Sequence, residues 1–217
     1  MSGVGTTDGT ITGHAVGLLV RAVATGTVTS GTVTGIVDEN FGGTITSAGS
    51  WPYSAYTTDA NGVGTITGTG STIHFLADGR YMDESASVIM GDANVQNATT
   101  IESPGAPYIL GESIGTSGVG ATPLVPHVVG VVTPAGATAG PGTFSGTMDV
   151  GSDPPATVAG SGTYGTIDST TGRATGTANF TTGGATTNIV IYANRHRRFS
   201  VLDVQSTDPY VLGARLQ

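Results

Sequence analysis

Acid–base or metal chemistry in this chain would have to be built from His14, His74, His127 and His196. No two of them stand in the His-x-His or His-x3-His spacing that lets neighbouring imidazoles share a metal. His74 falls in an alternating run beside Phe75 and reads as a strand residue. His14 and His127 each precede an apolar strand, so placement at a strand edge is the simpler account of both. Asp38/Glu39, Asp83/Glu84 and Asp149 are the carboxylates that could pair across a cleft for glycoside hydrolysis. Asp38 and Asp149 each end a strand with Gly three residues before, a position where Asp ordinarily caps a turn through its own backbone. Asp59-Ala-Asn61-Gly62 begins like a calcium loop but lacks the later ligands and the closing Glu, which leaves a hairpin turn. The chain has no Cys, and all seven basic residues are Arg. Thiol nucleophiles, Cys-ligated zinc, Schiff-base lysines and phosphate-loop lysines are therefore excluded. The expectation is a protein that is not an enzyme, with no catalytic, cofactor or metal residues.

Binding surfaces have two candidates. Arg195, His196, Arg197 and Arg198 form the single basic cluster, either a solvated turn between strands or a contact for an anionic partner such as an acidic polysaccharide or a neighbouring protein. Trp51 and Tyr53 share one face by alternation and could stack on carbohydrate, or could equally be core or rim residues. Net charge is −8, concentrated in residues 1–111, where nine acidic residues face two Arg. Without a basic stripe, nucleic acid is not an expected partner. The longest apolar stretch, Ala15 to Val20, stops at Arg21, so no membrane span is expected. Met1 is followed by Ser-Gly-Val-Gly with no basic segment; an export signal is not visible, and a mature or trimmed chain is expected.

These residues must be positioned by strands. Thr and Gly together make up about a third of the 217 residues, and runs such as Thr32-Val-Thr, Thr44-Ile-Thr, Thr65-Ile-Thr and Thr72-Ile-His-Phe alternate polar and apolar residues. Thr favours the pleated surface. No sustained helical period occurs, so the fold class is all-β, with antiparallel strands in a barrel or sandwich.

The chain also repeats itself. Gly31-Thr-Val-Thr-Gly-Ile-Val-Asp38 matches Gly142-Thr-Phe-Ser-Gly-Thr-Met-Asp149, and Ala48–Tyr53 matches Ala159–Tyr164, both at an offset of 111. Two homologous units in tandem are expected: residues 1–96, with an N-terminal arm over 1–13, and residues 97–217, with a junction over 97–106. Pro107-Tyr-Ile-Leu-Gly111 reads as the strand opening the second unit. Shifted back by the offset, it would lie before Met1, so the first unit is expected to lack its opening strand. The exposed edge would fall on Gly17, Leu18, Leu19 and Val20, to be relieved by the arm, by the other unit, or by a strand from a neighbouring chain.

Gly160-Ser-Gly-Thr-Tyr164, Gly172-Arg-Ala-Thr-Gly-Thr177, Ile189-Val-Ile-Tyr192, Phe199-Ser-Val-Leu-Asp203 and the closing Gly213-Ala-Arg-Leu-Gln217 resemble a tandem Gly/Thr-rich β repeat of uncharacterised secreted surface proteins from Gram-negative soil bacteria. The resemblance covers nearly all of 142–217 and, more loosely, 17–90. It implies an extracellular or cell-surface β-barrel or sandwich without known catalytic residues. The expected function is structural: a spacer, coat or filament subunit, self-assembling by strand complementation, with itself or a neighbouring surface protein as partner. A small-ligand-binding β-barrel and a virion subunit are the alternatives.

Overall fold

Alternation of Thr with Val and Ile yields strands throughout. The structure, a computed structural model, describes residues 2–11, 14–27, 29–41, 43–50, 53–61, 63–68, 72–75, 80–84, 88–94, 100–112, 128–150, 156–180, 185–194, 197–205 and 211–216. In the first half run β1 (Ser2–Ile11), β2 (His14–Gly26), β3 (Ser30–Phe41), β4 (Thr44–Ser50), β5 (Tyr53–Thr58), β6 (Gly64–Gly68), β7 (Thr72–Phe75), β8 (Arg80–Glu84) and β9 (Val88–Asn94). The second half holds β10 (Tyr108–Glu112), β11 (Val128–Gly136), β12 (Gly142–Val150), β13 (Ala156–Tyr164), β14 (Arg173–Asn179), β15 (Thr187–Asn194), β16 (Arg198–Asp203) and β17 (Val211–Leu216). The all-β expectation holds.

β10 to β17 form a closed barrel in which each strand pairs antiparallel with its neighbours in sequence and β10 closes on β17. Alternation divides every strand between the two faces. Phe144 and Met148 of β12 point inward with Tyr108, Leu110, Val132, Tyr164, Ile189, Ile191, Phe199 and Val201, all within one buried cluster. Thr143, Ser145, Thr147 and Asp149 alternate with them on the exposed face. Phe144 stacks on Tyr164 and on Phe180, with ring centroids 6.2 and 5.6 Å apart. The segment from 100 to 106, expected as junction, packs against this barrel. Ile101 is buried in its core, and its amide and that of Gly105 donate to the Thr138 and Pro134 carbonyls.

In the first half, β2 to β6 make a five-stranded antiparallel sheet in which β4 and β5 both lie along the same side of β3. β1 and β7 to β9 extend it to nine strands. β1 pairs with β2 on one side and β9 on the other, so the order returns on itself with β4 as a branch. Of the three ways expected to relieve the edge of β2, the structure shows the first: the arm over 2–11 pairs with it in cis, and neither the other unit nor a neighbouring chain supplies that strand. Gly17, Leu18, Leu19 and Val20 lie between β1 and β3, paired on both sides, and present no open edge.

Three local devices recur in both halves. The β2–β3 turn closes on the pair Gly26/Gly31 and the β11–β12 turn on Gly136/Gly142. Gly26 and Gly136 have positive φ (149° and 117°), and a Cβ on either would sit under 3 Å from the partner glycine's Cα; only glycine suits both requirements. Across from these glycines stand Tyr56 and Tyr164, whose hydroxyls donate to the carbonyls of Thr27 and Ala135. The sequence alignment set Tyr53 against Tyr164; the strand register sets Tyr56 there instead. The cause is extra residues in the β4–β5 run, including a bulge at Ser47–Ala48, that regular β13 does not have. Lastly, Asp59 accepts amide bonds from Asn61 and Val63, and Asp168 from Thr170 and Thr171, so both are turn caps. That is the hairpin reading of Asp59–Gly62, Gly62 itself lying outside the described residues.

Candidate functional site

The bulge at Ser47–Ala48 lies opposite Asp38, where the β3–β4 register shifts. A bulge turns an amide off the ladder, and here the released Ala48 N–H donates to Asp38 Oδ1 at 2.8 Å while Ser47 Oγ donates to the same oxygen at 3.2 Å. Ala48 holds φ +51°, a left-handed conformation that costs an alanine about 1 kcal/mol. Asp38 lies on the outer face of β3 with Ile36 and Asn40, alternating with the inward Val33 and Val37. It is nonetheless 0% exposed, because the barrel of the second half covers it.

The covering face is the outside of β14, β15 and β16. Arg173 and Tyr192 are cross-strand neighbours there, and both reach Asp38. The guanidinium binds through two nitrogens, Nε to Oδ2 at 2.8 Å and Nη2 to Oδ1 at 2.7 Å, and the Tyr192 hydroxyl donates to Oδ2 at 2.6 Å. Arg173 Nη2 also donates to Ser47 Oγ at 2.8 Å. An apolar pad flanks the pair: Val190, Tyr192 and Leu202 pack together, with Ile36 and Val204 against them. On its other side Asn40 Nδ2 donates to the Asp203 carbonyl at 3.1 Å.

Burial alone would raise the Asp38 carboxyl pKa. The bonds from Arg173, Tyr192 and the Ala48 amide outweigh it and hold the group below its ordinary value. Burial, and then the adjacent Asp38 charge, push the Tyr192 phenol far up, so it stays a proton donor. The bond to Asp38 raises Arg173. A carboxylate that accepts from four groups and is held ionised has neither a proton to give nor a lone pair to spare. The cluster is chemically a lock between the two halves of the chain.

Asp149, the sequence match of Asp38, sits in a regular register, is exposed, and accepts only the cross-strand Thr157 hydroxyl at 2.6 Å among the bonds described. The two matched carboxylates thus stand in different surroundings, one buried and saturated with donors, the other exposed. Arg195, His196 and Trp51 lie outside the described residues, as does the side chain of Tyr53, which begins β5. Arg197 is exposed, with Nε 3.8 Å from a Glu102 carboxylate oxygen; Arg198 opens β16, across from Asn194 and Arg215. His74 is half-buried and faces the Thr65 hydroxyl at 3.4 Å, a strand residue as expected. His14 opens β2, and His127 is outside the described residues. Among the described residues no group of three or more His, Asp or Glu is placed to hold a metal, and no helix is long and apolar enough to cross a membrane.

The sequence reading weighed Asp38 as a catalyst and missed Arg173 and Tyr192 as its partners. One signal was present: Ile36, beside Asp38 on an outward face, stands where the second unit has Thr147. Comparison with protein-family models, with curated proteins and with solved structures gives no match.

Proposed function

We propose that the chain is a non-enzymatic structural protein of an extracellular or cell surface, made of two β units descended from one ancestral module and held together by a buried ion pair. The observation that carries this reading is the lock itself. The most elaborate polar cluster among the described residues joins unit to unit and is saturated by protein donors, as a load-transmitting joint requires and a reactive site does not. Common descent is supported by the Gly–Gly–Tyr turn and by the Asp turn caps that recur in both halves. The small-ligand alternative is weakened for the second barrel, whose interior is occupied by Tyr108, Phe144, Tyr164 and their neighbours.

Strand complementation at Gly17–Val20 loses its basis, since that segment is already paired on both sides. Among the described residues β4 pairs on one side only, and its bulge blunts that edge against strand addition. Surface placement is tested by labelling intact cells or particles of the source with antibody to the purified chain, with and without protease treatment. Protease-sensitive labelling supports the reading. Label that appears only after lysis overturns the surface assignment, and a small molecule extracted in stoichiometric amount from the native protein overturns the structural one.

A further inference from the structure

The large apolar side chains exposed among the described residues are Ile45, Ile109, Val129 and Val131, and the last three share one face. Pairing fixes their arrangement on the outside of the second barrel. One row across β17, β10, β11 and β12 reads Arg215, Ile109, Val131, Thr147; the next reads Gly213, Gly111, Val129, Asp149. Gly111 and Gly213 leave open space where a Cβ would project. The patch thus has two apolar strands at its centre, a hollow beside Val129, a positive end and a negative end. Arg198 stands across from Arg215 and adds to the positive end. In the first unit the corresponding outer face of β3, carrying Ile36 and Asp38, is covered by a neighbouring barrel. Here the equivalent face carries exposed valines and an exposed Asp149 carboxylate held only by the Thr157 hydroxyl among the bonds described.

We infer that this face is the contact between two copies of the chain, related by a two-fold axis parallel to the strands between β10 and β11. That operation sets Ile109 against Val131 of the copy and drops Val129 into the hollow over Gly111. It places Arg215 over Thr147 of the copy, one row, roughly 7 Å along the strand, from Asp149, within the reach of an arginine. The symmetry repeats each contact twice, as a closed two-fold interface does. The patch is self-complementary in shape and charge, which selects a second copy over an unrelated partner. The inference deepens the structural reading by naming its partner. Its test reads oligomeric state and not location, so either can fail without the other.

Sedimentation equilibrium of the purified full chain, from about 1 μM to 1 mM, the range of weak protein affinities, is the measurement. A reversible monomer–dimer equilibrium is expected. Val131→Asp and Val129→Asp, both at exposed positions, should each weaken it by about tenfold or more while leaving the far-UV circular dichroism and melting temperature in place. Arg215→Asp and Asp149→Arg should each weaken it, and the double swap should restore it, a recovery that lost folding could not imitate. A monomer throughout, an open-ended polymer, or a dimer indifferent to all four substitutions overturns the inference.

Discussion

Replacing Asp38 by Asn keeps the shape of the lock and removes its charge. Breaking a buried ion pair from one side costs about 3–5 kcal/mol, because the remaining charge is left without its partner. Here the Arg173 side chain keeps 16% of its surface in water and can rehydrate in part, so the expected loss falls to about 2–3 kcal/mol. For a chain of this size that corresponds to a fall in melting temperature of about 4–12 °C, read by differential scanning calorimetry at neutral pH. Asp38→Asn combined with Arg173→Gln should cost less than Asp38→Asn alone, because no unpaired charge remains. The pH dependence follows from the depressed carboxyl. Its stabilisation is fully present above the ordinary value of 3.8 and is lost as pH falls through the lower folded-state value. Wild type should therefore lose the difference from the Asp38→Asn variant only in that acid window. A loss under about 0.5 kcal/mol, the scale of an ordinary surface substitution, would refute the buried-lock argument, as would strict additivity in the double variant.

Tyr192→Phe removes one hydrogen bond to a charged acceptor and should cost about 1.5–3 kcal/mol in urea unfolding. Spectrophotometric titration of the native protein should leave one tyrosine protonated at alkaline pH that the Tyr192→Phe variant lacks, because burial and the Asp38 charge raise that phenol. Ala48→Gly relieves a left-handed alanine while keeping its amide, and should be neutral or stabilising by up to about 1 kcal/mol in the same assay. Gly142→Ala and Gly31→Ala drive a methyl into Tyr164 and Tyr56 respectively and into a neighbouring carbonyl; each should destabilise by about 1–3 kcal/mol, with similar size in the two units. Phe144→Ala empties the centre of the second barrel and should cost about 3–5 kcal/mol.

Local chemistry made much of the fold legible. Thr–Val–Thr and Thr–Ile–Thr alternation marks strands because side chains on a pleated backbone must alternate faces, and Asp59 marks a turn because its carboxylate meets amides two and four residues on. Ser2–Ile11 was harder to recognise as a strand: with Val4 and Ile11 as its only large apolar residues, its place comes from pairing with β9, more than 75 positions away in sequence. The duplicated Gly-Thr segments and the Asp38/Asp149 match were visible as well, but a constant offset could not show where one copy had bulged. Tyr56, not Tyr53, therefore took the place opposite the glycine.

What composition and pattern determined unaided was the type of element, the turn chemistry and the exclusion of thiol and lysine chemistry, since each depends on a residue and its nearest neighbours along the chain. What only tertiary structure decided was the fate of outward-facing residues. Alternation assigns Ile36, Asp38, Arg173, Tyr192 and Val131 alike to the outside of a sheet. Whether such a side chain ends buried in a saturated ion pair or exposed on a patch depends on which sheet face lies against the barrel, a long-range packing choice not encoded within any one strand.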